Sequence, residues 1–205
     1  MHAADAALAL VGHAEALLER AAVAEADLSA AAGTVTGRGR IAGFQSVMLH
    51  LAMPAMKALA RDAPRLRCEL LEAEPEDSLP ALALGDVDLV LGDEWQHQPL
   101  RLPEGVQRHE LLHDPVHLVL PARHPATRRH RDAVPLAELA GEAWTTGHVG
   151  MGWDEMTHRT SGIALRAIAE GPVRRAIFAA TRAADAARPS TQALLAAVRN
   201  AAAAT

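Results

Sequence analysis

The 205-residue chain has no tyrosine, three tryptophans, two phenylalanines and a single cysteine. So few aromatics leave Leu, Val and Ala to build the core. At 50% hydrophobic and 22% charged residues, a packed core is within reach and the composition is not that of a disordered chain. One cysteine excludes an internal disulfide, so an oxidising compartment offers no covalent staple. Cys68 lies in Arg67-Cys68-Glu69-Leu70-Leu71, which reads as a strand. A small buried filler is the reading there, with a reactive thiol as the alternative. No apolar run approaches the roughly 20 residues needed to span a bilayer. The N-terminus meets Asp5, His13 and Glu15 early and has neither the basic start nor the apolar stretch of a signal peptide. These absences predict a soluble, cytoplasmic protein without a membrane partner. The net charge of -5 argues against a basic nucleic-acid surface over the whole molecule, though not against a local patch.

Catalytic signatures are missing as well. There is no Gly-x-Ser-x-Gly elbow and no Gly-x-x-x-x-Gly-Lys-Ser/Thr phosphate loop. Gly37-Arg38-Gly39 is too short for a dinucleotide fingerprint. His109, His113 and His117 recur every four residues and would share a face on a helix. Their surroundings read as strand, turn, strand, which scatters them, so no metal site is expected. Asp86 and Asp88 flank Val87 at a strand start, where acids cap backbone groups. With no nucleophile–base pair and no metal cluster, the chain is expected to be neither an enzyme nor a cofactor binder.

The chain does contain a long helix and a β/α alternation. No Gly or Pro falls between His13 and Gly33, and Leu10, Ala14, Leu17, Ala21, Ala24 and Leu28 alternate steps of four and three. That spacing makes a narrow apolar stripe, the pattern of a coiled-coil seam or of a helix laid in a groove. It is expected to be a dimerisation or connector helix, with packing on its own domain as the alternative. Gly33, Gly37 and Gly39 then form a hinge-like link.

Next come a strand (38–43) and a helix from Val47 to about Ala60, capped by Ser46 and burying Leu49, Met53, Met56 and Leu59. A strand (66–72), a helix (75–84) made awkward by Pro80, and a strand (87–91) ending at Gly92-Asp93-Glu94 follow. Two βα units with short connections predict parallel strands. Beyond them, 105–112 and 115–120 read as strands separated by an Asp114-Pro115 turn, and 136–139 as one helical turn. Ala143 to Thr146 reads as a strand start. Strands at 163–168 and 172–181, the latter around Ile177-Phe178-Ala179-Ala180, precede a final helix from Ser190 to Ala203.

Gln45-Ser46 places an amide, a hydroxyl and free N–H groups at a helix start just past a strand, and Thr145-Thr146-Gly147 offers similar chemistry. Each pair reads equally well as plain capping. If the two faced one another across a cleft they would hold a small polar or carboxylate ligand.

In order along the chain, several segments resemble a LysR-type bacterial transcriptional regulator. Val11-Gly12-His13-Ala14-Glu15-Ala16-Leu17-Leu18 is similar to that family's linker helix. Gly37-Arg38-Gly39-Arg40-Ile41-Ala42-Gly43-Phe44 resembles the opening strand of its effector domain. Pro54, Asp62-Ala63-Pro64 and Leu66-Arg67-Cys68-Glu69-Leu70 follow the pattern. Leu84-Gly85-Asp86-Val87-Asp88-Leu89-Val90-Leu91 is the most specific match. Leu118-Val119-Leu120-Pro121, His124-Pro125 and Leu136-Ala137-Glu138-Leu139 match the crossover and the entry to a second lobe.

The resemblance implies an α/β, periplasmic-binding-protein-like (type 2) effector domain behind a long helix. Its parts would be a linker helix (1–34), a first lobe (38–120), a crossover with a shortened second lobe (121–162), and return strands with a C-terminal helix (163–205). Thr160-Ser161-Gly162 runs straight into what resembles a late return strand, which implies a deletion within lobe two. The family's helix-turn-helix would lie upstream of Leu8, so no autonomous operator recognition is expected. The implied effector contacts are Gln45, Ser46, Gly92, Asp93, Thr145 and Thr146. The implied assembly is a homodimer or tetramer, formed with itself or with intact relatives. The alternative is a small-molecule-binding or interaction protein derived from such a regulator that acts without direct DNA contact.

Overall fold

The computed structural model describes residues 35–96, 98–144 and 162–205, together with Leu10, Val11, His13, Ala14, Leu17, Arg20, Ala21, Ala24 and Leu28. Those nine N-terminal residues are helical and exposed. Leu10, Leu17 and Leu28 are 69%, 71% and 73% exposed, so the stripe is not buried against the chain's own lobes.

Strand β1 (Gly37–Gly43) leads into helix α1, which runs Gln45–Val47, then a π-helical segment Met48–Ala52, then Met53–Asp62. Strand β2 (Leu66–Glu72), helix α2 (Pro75–Leu84) and strand β3 (Leu89–Trp95) follow. Strand β1 pairs in parallel with both β2 and β3, as two βα units require. Next come β4 (Val106–Pro115), β5 (Leu118–Pro121), helix α3 (Pro125–Arg129), β6 (Ala133–Val134) and a 3-10 turn (Leu136–Leu139). Beyond residue 161 are β7 (Ile163–Ile168), β8 (Arg174–Arg182) and helix α4 (Pro189–Ala203).

These strands form two sheets, β2-β1-β3-β8-β4 and β5-β7-β6. The first lobe is therefore discontinuous in sequence, because β8 returns from the second sheet and lies antiparallel between β3 and β4. Strand β5, inside the 38–120 span expected for the first lobe, pairs with β7 in the second sheet. The strand expected at 87–91 begins at Leu89 and continues through Gly92, Asp93 and Glu94 to Trp95. The Asp114-Pro115 turn is the end of β4, bulged between Glu110 and Leu112. Pro115 is tolerated there because β4 is an edge strand and proline closes it.

Helices cover both faces of the five-stranded sheet. On one face, Ile41, Leu89, Leu91, Ile177 and Ala179 pack against Val47, Leu51, Ala55 and Leu59 of α1 and Leu194 and Val198 of α4. On the other, Ala42, Val90, Phe178 and Ala180 pack against Leu79 and Leu82 of α2.

Of the four residues expected on the buried face of α1, Leu59 is buried and Met56 packs half-buried against the core, while the first two turn outward. Leu49 and Met53 are 44% and 45% exposed. The π-helical segment inserts an extra residue into the turn and rotates the face by about one position, so Leu51, Ala52 and Ala55 go inward. Helix caps differ too. Phe44 is the N-cap of α1 and Arg188 that of α4, and neither makes a side-chain cap hydrogen bond. In α4, Pro189 takes the first helical position, where its missing N–H costs nothing. Ser190 therefore falls inside the helix. Helix α2 carries Pro80 without breaking.

One charged cluster ties the α2 loop to the sheet. Asp88 accepts hydrogen bonds from the backbone N–H of Arg40 (2.8 Å) and from its Nε (3.1 Å) and Nη2 (3.2 Å). Arg182 lies 3.8 Å away and donates to the carbonyl of Leu82 (3.0 Å). Asp88 thus anchors the start of β3 to β1.

Candidate functional site

Open α/β sheets place their ligand crevice beyond the carboxyl ends of parallel strands. Here that edge is built by Gly43, Phe44, Gln45 and Ser46 after β1, Glu72 to Glu76 after β2, and the second half of β3. Gln45 is exposed. Ser46 is only 7% exposed, but among the described residues the buried side-chain oxygen without a hydrogen-bond partner is that of Ser78 on α2, not that of Ser46.

Along β3, neighbouring side chains point to opposite faces, and this separates the acids at its end. Asp93 faces the α1 side. Its side chain is 12% exposed and lies 3.6 Å from the guanidinium of Arg175 on β8. Burial pushes the Asp93 carboxyl above the ordinary range, and Arg175 only partly offsets this. Glu94 faces the other way. Its carboxylate accepts from the backbone N–H of Leu100 (2.8 Å) and from Arg108 (2.6 Å). Burial would raise its pKa, but these bonds hold it below the usual value.

Gly92 lies on the α2 face. A Cβ there would come within 2.6 Å of Cζ of Phe178. Its missing side chain makes room for that ring, which is 0% exposed. Gly92 therefore enters the site only as backbone between Leu91 and Asp93. Thr145 and Thr146 lie outside the described residues, as does the strand start that includes them.

Sequence reasoning missed Arg175. Its guanidinium donates to Asp114 (2.6 Å) and lies over Phe44 and Trp95, 5.4 and 5.7 Å from their ring centroids. It therefore joins the end of β1, the end of β3 and the strand leading to the second lobe. The available signal was the position of Arg175 two residues before the apolar run of β8, but the Arg174-Arg175 pair reads as a surface charge run. A separate groove of about 550 Å³ lies beside Glu94, Trp95, Gln96, His113 and Arg174. None of the four expected effector residues that are described, Gln45, Ser46, Gly92 and Asp93, lines it.

The other polar candidates are structural. His109 bonds Thr181 (3.0 Å) and Arg199 (3.2 Å). Burial, then the nearby Arg199, lowers its pKa and keeps it neutral. Burial pushes the Cys68 thiol up, which disfavours a reactive thiolate. Among the described residues no group of three His, Cys, Asp or Glu could hold a metal ion.

Residues 32–170 match the family described as the LysR substrate binding domain. Comparison with curated proteins finds no match. Among solved structures, the fold is similar to a mutant of the OxyR regulatory domain from Pseudomonas aeruginosa, with TM-score 0.63 and 16% identity, over 81% of this chain and 98% of that one. It is also similar to the C-terminal domain of a probable LysR family transcriptional regulator from Rhodococcus sp. RHA1 (TM-score 0.62, 17% identity, 80% and 99% of the two chains). A third is the BenM effector binding domain with its effector benzoate (TM-score 0.61, 14% identity, 81% and 92%).

Proposed function

The chain belongs to the LysR substrate-binding-domain family, and on that premise we propose that it senses a small molecule in a cleft beside Ser46 and self-associates through its N-terminal helix. The domain is regulatory and binds an effector rather than turning over a substrate. The observation that supports the cleft assignment is the meeting of Phe44, two residues before Ser46 at the end of β1, with Asp93 at the end of β3 on the Arg175 guanidinium. In this reading Ser46 and Asp93 contact the ligand and Gln45 closes over it, while Gly92 contributes backbone. Thr145 and Thr146, outside the described residues, are the proposed opposite wall. The sequence leaves either a polar or a carboxylate ligand open.

Self-association is assigned to Leu10, Ala14, Leu17, Ala21, Ala24 and Leu28. All six are helical and exposed, which supports a seam that pairs with another copy or with an intact relative. A homodimer or tetramer is the proposed assembly. The proposed setting is the cytoplasm. Among the described residues, no helix is long and apolar enough to cross a membrane. A protein derived from such a regulator but acting without direct DNA contact would use the same cleft and the same seam.

The test is a thermal-shift screen of small polar compounds, since a ligand that binds only the native state raises the melting temperature. A hit should bind about tenfold more weakly to a folded Ser46→Ala variant, the loss of about one hydrogen bond. Equal affinity in that variant refutes the assignment of Ser46.

A further inference from the structure

We propose a second ligand site, separate from the strand-end crevice: the groove beside Trp95 takes a small organic anion, an apolar body bearing one carboxylate, on Arg174 and His113.

The strand register assembles the groove. Glu94 of β3, Ala176 of β8 and His113 of β4 lie side by side in one row of the first sheet, and residues opposite one another across a ladder share a face. Arg174 is the next position of β8 on that face. Leu79 and Leu82 of α2 pack on Phe178 and Ala180 of the same face. Ala176 lies beyond that cluster, half-buried, and lines the groove. Its single methyl leaves open the space that a larger side chain would fill. Asp93, Arg175 and Asp114 meet on the opposite face, so the sheet stands between this groove and the crevice. The volume, about 550 Å³, is that of a small-molecule site.

The charge left open in the groove is positive. Among the described residues Glu94 is the one acid that lines it, and both its carboxylate oxygens are taken. One accepts from the backbone N–H of Leu100 at 2.8 Å and the other from Arg108 at 2.6 Å. Arg174 differs. Its backbone is pinned to Gln96 by two hydrogen bonds of 3.2 Å, one to the Gln96 side-chain oxygen and one from the Gln96 backbone N–H. Its side chain is exposed and makes no ion pair among the described residues. His113 is likewise exposed and unpartnered among them. It sits diagonally across the ladder from Arg174, a separation of about 7–8 Å that long side chains span. One carboxylate can therefore meet both. A guanidinium is the donor that such a group binds best.

The walls select the rest of the ligand. Pro99, Pro172 and Trp95, which is 37% exposed, are apolar. Surfaces of this kind favour an organic body over a bare inorganic anion. His113 lies on the strand leaving the first sheet and Arg174 on the strand returning to it. The backbone N–H of Val116 already donates to the Val173 carbonyl between those strands at 2.9 Å. A ligand held by both side chains would tie the two crossing strands together a second time.

Three probes test the site: phenylacetate, its neutral amide phenylacetamide, and inorganic phosphate, each titrated by calorimetry into the full chain at neutral pH and low ionic strength. Phenylacetate is expected to bind at least tenfold more tightly than either of the others. Arg174→Gln should weaken it at least tenfold without moving the melting temperature, because the side chain is exposed. Arg174→Lys should retain most of the affinity. Ala176→Leu should abolish binding by filling the groove, with a thermal melt to check that it folds. If phenylacetamide binds as tightly as phenylacetate, or Arg174→Gln leaves phenylacetate binding unchanged, the anion site is refuted. If phosphate binds more tightly, the organic class is wrong. Binding that survives Ala176→Leu but falls in Ser46→Ala assigns the anion to the strand-end crevice and overturns the groove alone. No binding of any probe at millimolar concentration overturns the proposal and leaves the crevice reading untouched.

Discussion

Replacing Gly92 by alanine adds one methyl group to the middle of the first sheet. Its Cβ would lie 2.6 Å from Cζ, 3.0 Å from Cε2 and 3.2 Å from Cε1 of Phe178, against about 3.5–4.0 Å for carbon atoms in contact. The ring must retreat by about 1 Å. Little room exists for that. Phe178 is 0% exposed and packs among Leu79, Leu82 and Val90. The Arg108 guanidinium sits 4.4 Å from its centroid and is itself held by Glu94 and Glu110.

Overpacking of this kind costs about 1–3 kcal/mol. Alanine recovers about 0.5–1 kcal/mol through its smaller backbone entropy loss. The net expectation is a destabilisation of about 1–2 kcal/mol, or roughly 2–8 °C in melting temperature for a chain of this size. Urea unfolding followed by circular dichroism measures it, with a lower midpoint and an unchanged slope expected. In a Phe178→Leu background the offending ring atoms are gone, so the same substitution should cost less than about 0.5 kcal/mol. An unchanged or raised midpoint, or equal losses in both backgrounds, refutes the packing role of Gly92.

Asp88→Ala removes the acceptor of three Arg40 hydrogen bonds and strands part of a buried charge. It should lower stability by about 3 kcal/mol, read from chemical denaturation. His109 has a lowered pKa in the folded chain, so the unfolded chain takes up its proton first as pH falls through about 6.5. Stability from this residue is therefore present above that pH and lost below it. Melting temperatures at pH 7.5 and 5.5 should converge in His109→Gln relative to the parent, and an unaltered difference counts against the assignment. Leu17→Glu places a charge on the exposed stripe, and light scattering should then report a smaller molar mass. An unchanged mass removes the seam from the assembly.

Much of the first lobe was legible because its periodicity is local. Strands β1 to β3 are short apolar runs closed by Gly or Pro, and helices α1 and α2 lie between them. The features that escaped depend on long-range contacts or on a single extra residue. A π-helical segment cannot be seen in a pattern of Leu and Met spaced by three and four, so Leu49 and Met53 were expected inside where Leu51 and Ala52 are buried. The Asp114-Pro115 pair has turn chemistry, yet on an edge strand it merely ends the ladder.

The site was half legible. Ser46 lies just after a strand as its surroundings suggest, although inside the helix rather than as its cap. Arg175 was hidden because its partners, Phe44, Asp93 and Asp114, lie far from it along the chain. Gly92 reads as a ligand contact, and the Phe178 ring beside it leaves only its backbone to serve as one.

The interleaving of β8 between β3 and β4 sets a timetable for synthesis. Val90 pairs with Ala180 and Arg108 pairs with that same residue, so two strands made early must wait for one made late. A nascent chain that has emerged only through Pro121 has β3 and β4 but lacks the strand that joins them and the ring of Phe178. Contacts this far apart in sequence form slowly, and open strand edges invite pairing with other chains. Folding of this chain on the ribosome should therefore stay reversible until β8 and α4 emerge, and any early stop before Arg182 should yield an aggregation-prone fragment rather than a smaller working lobe.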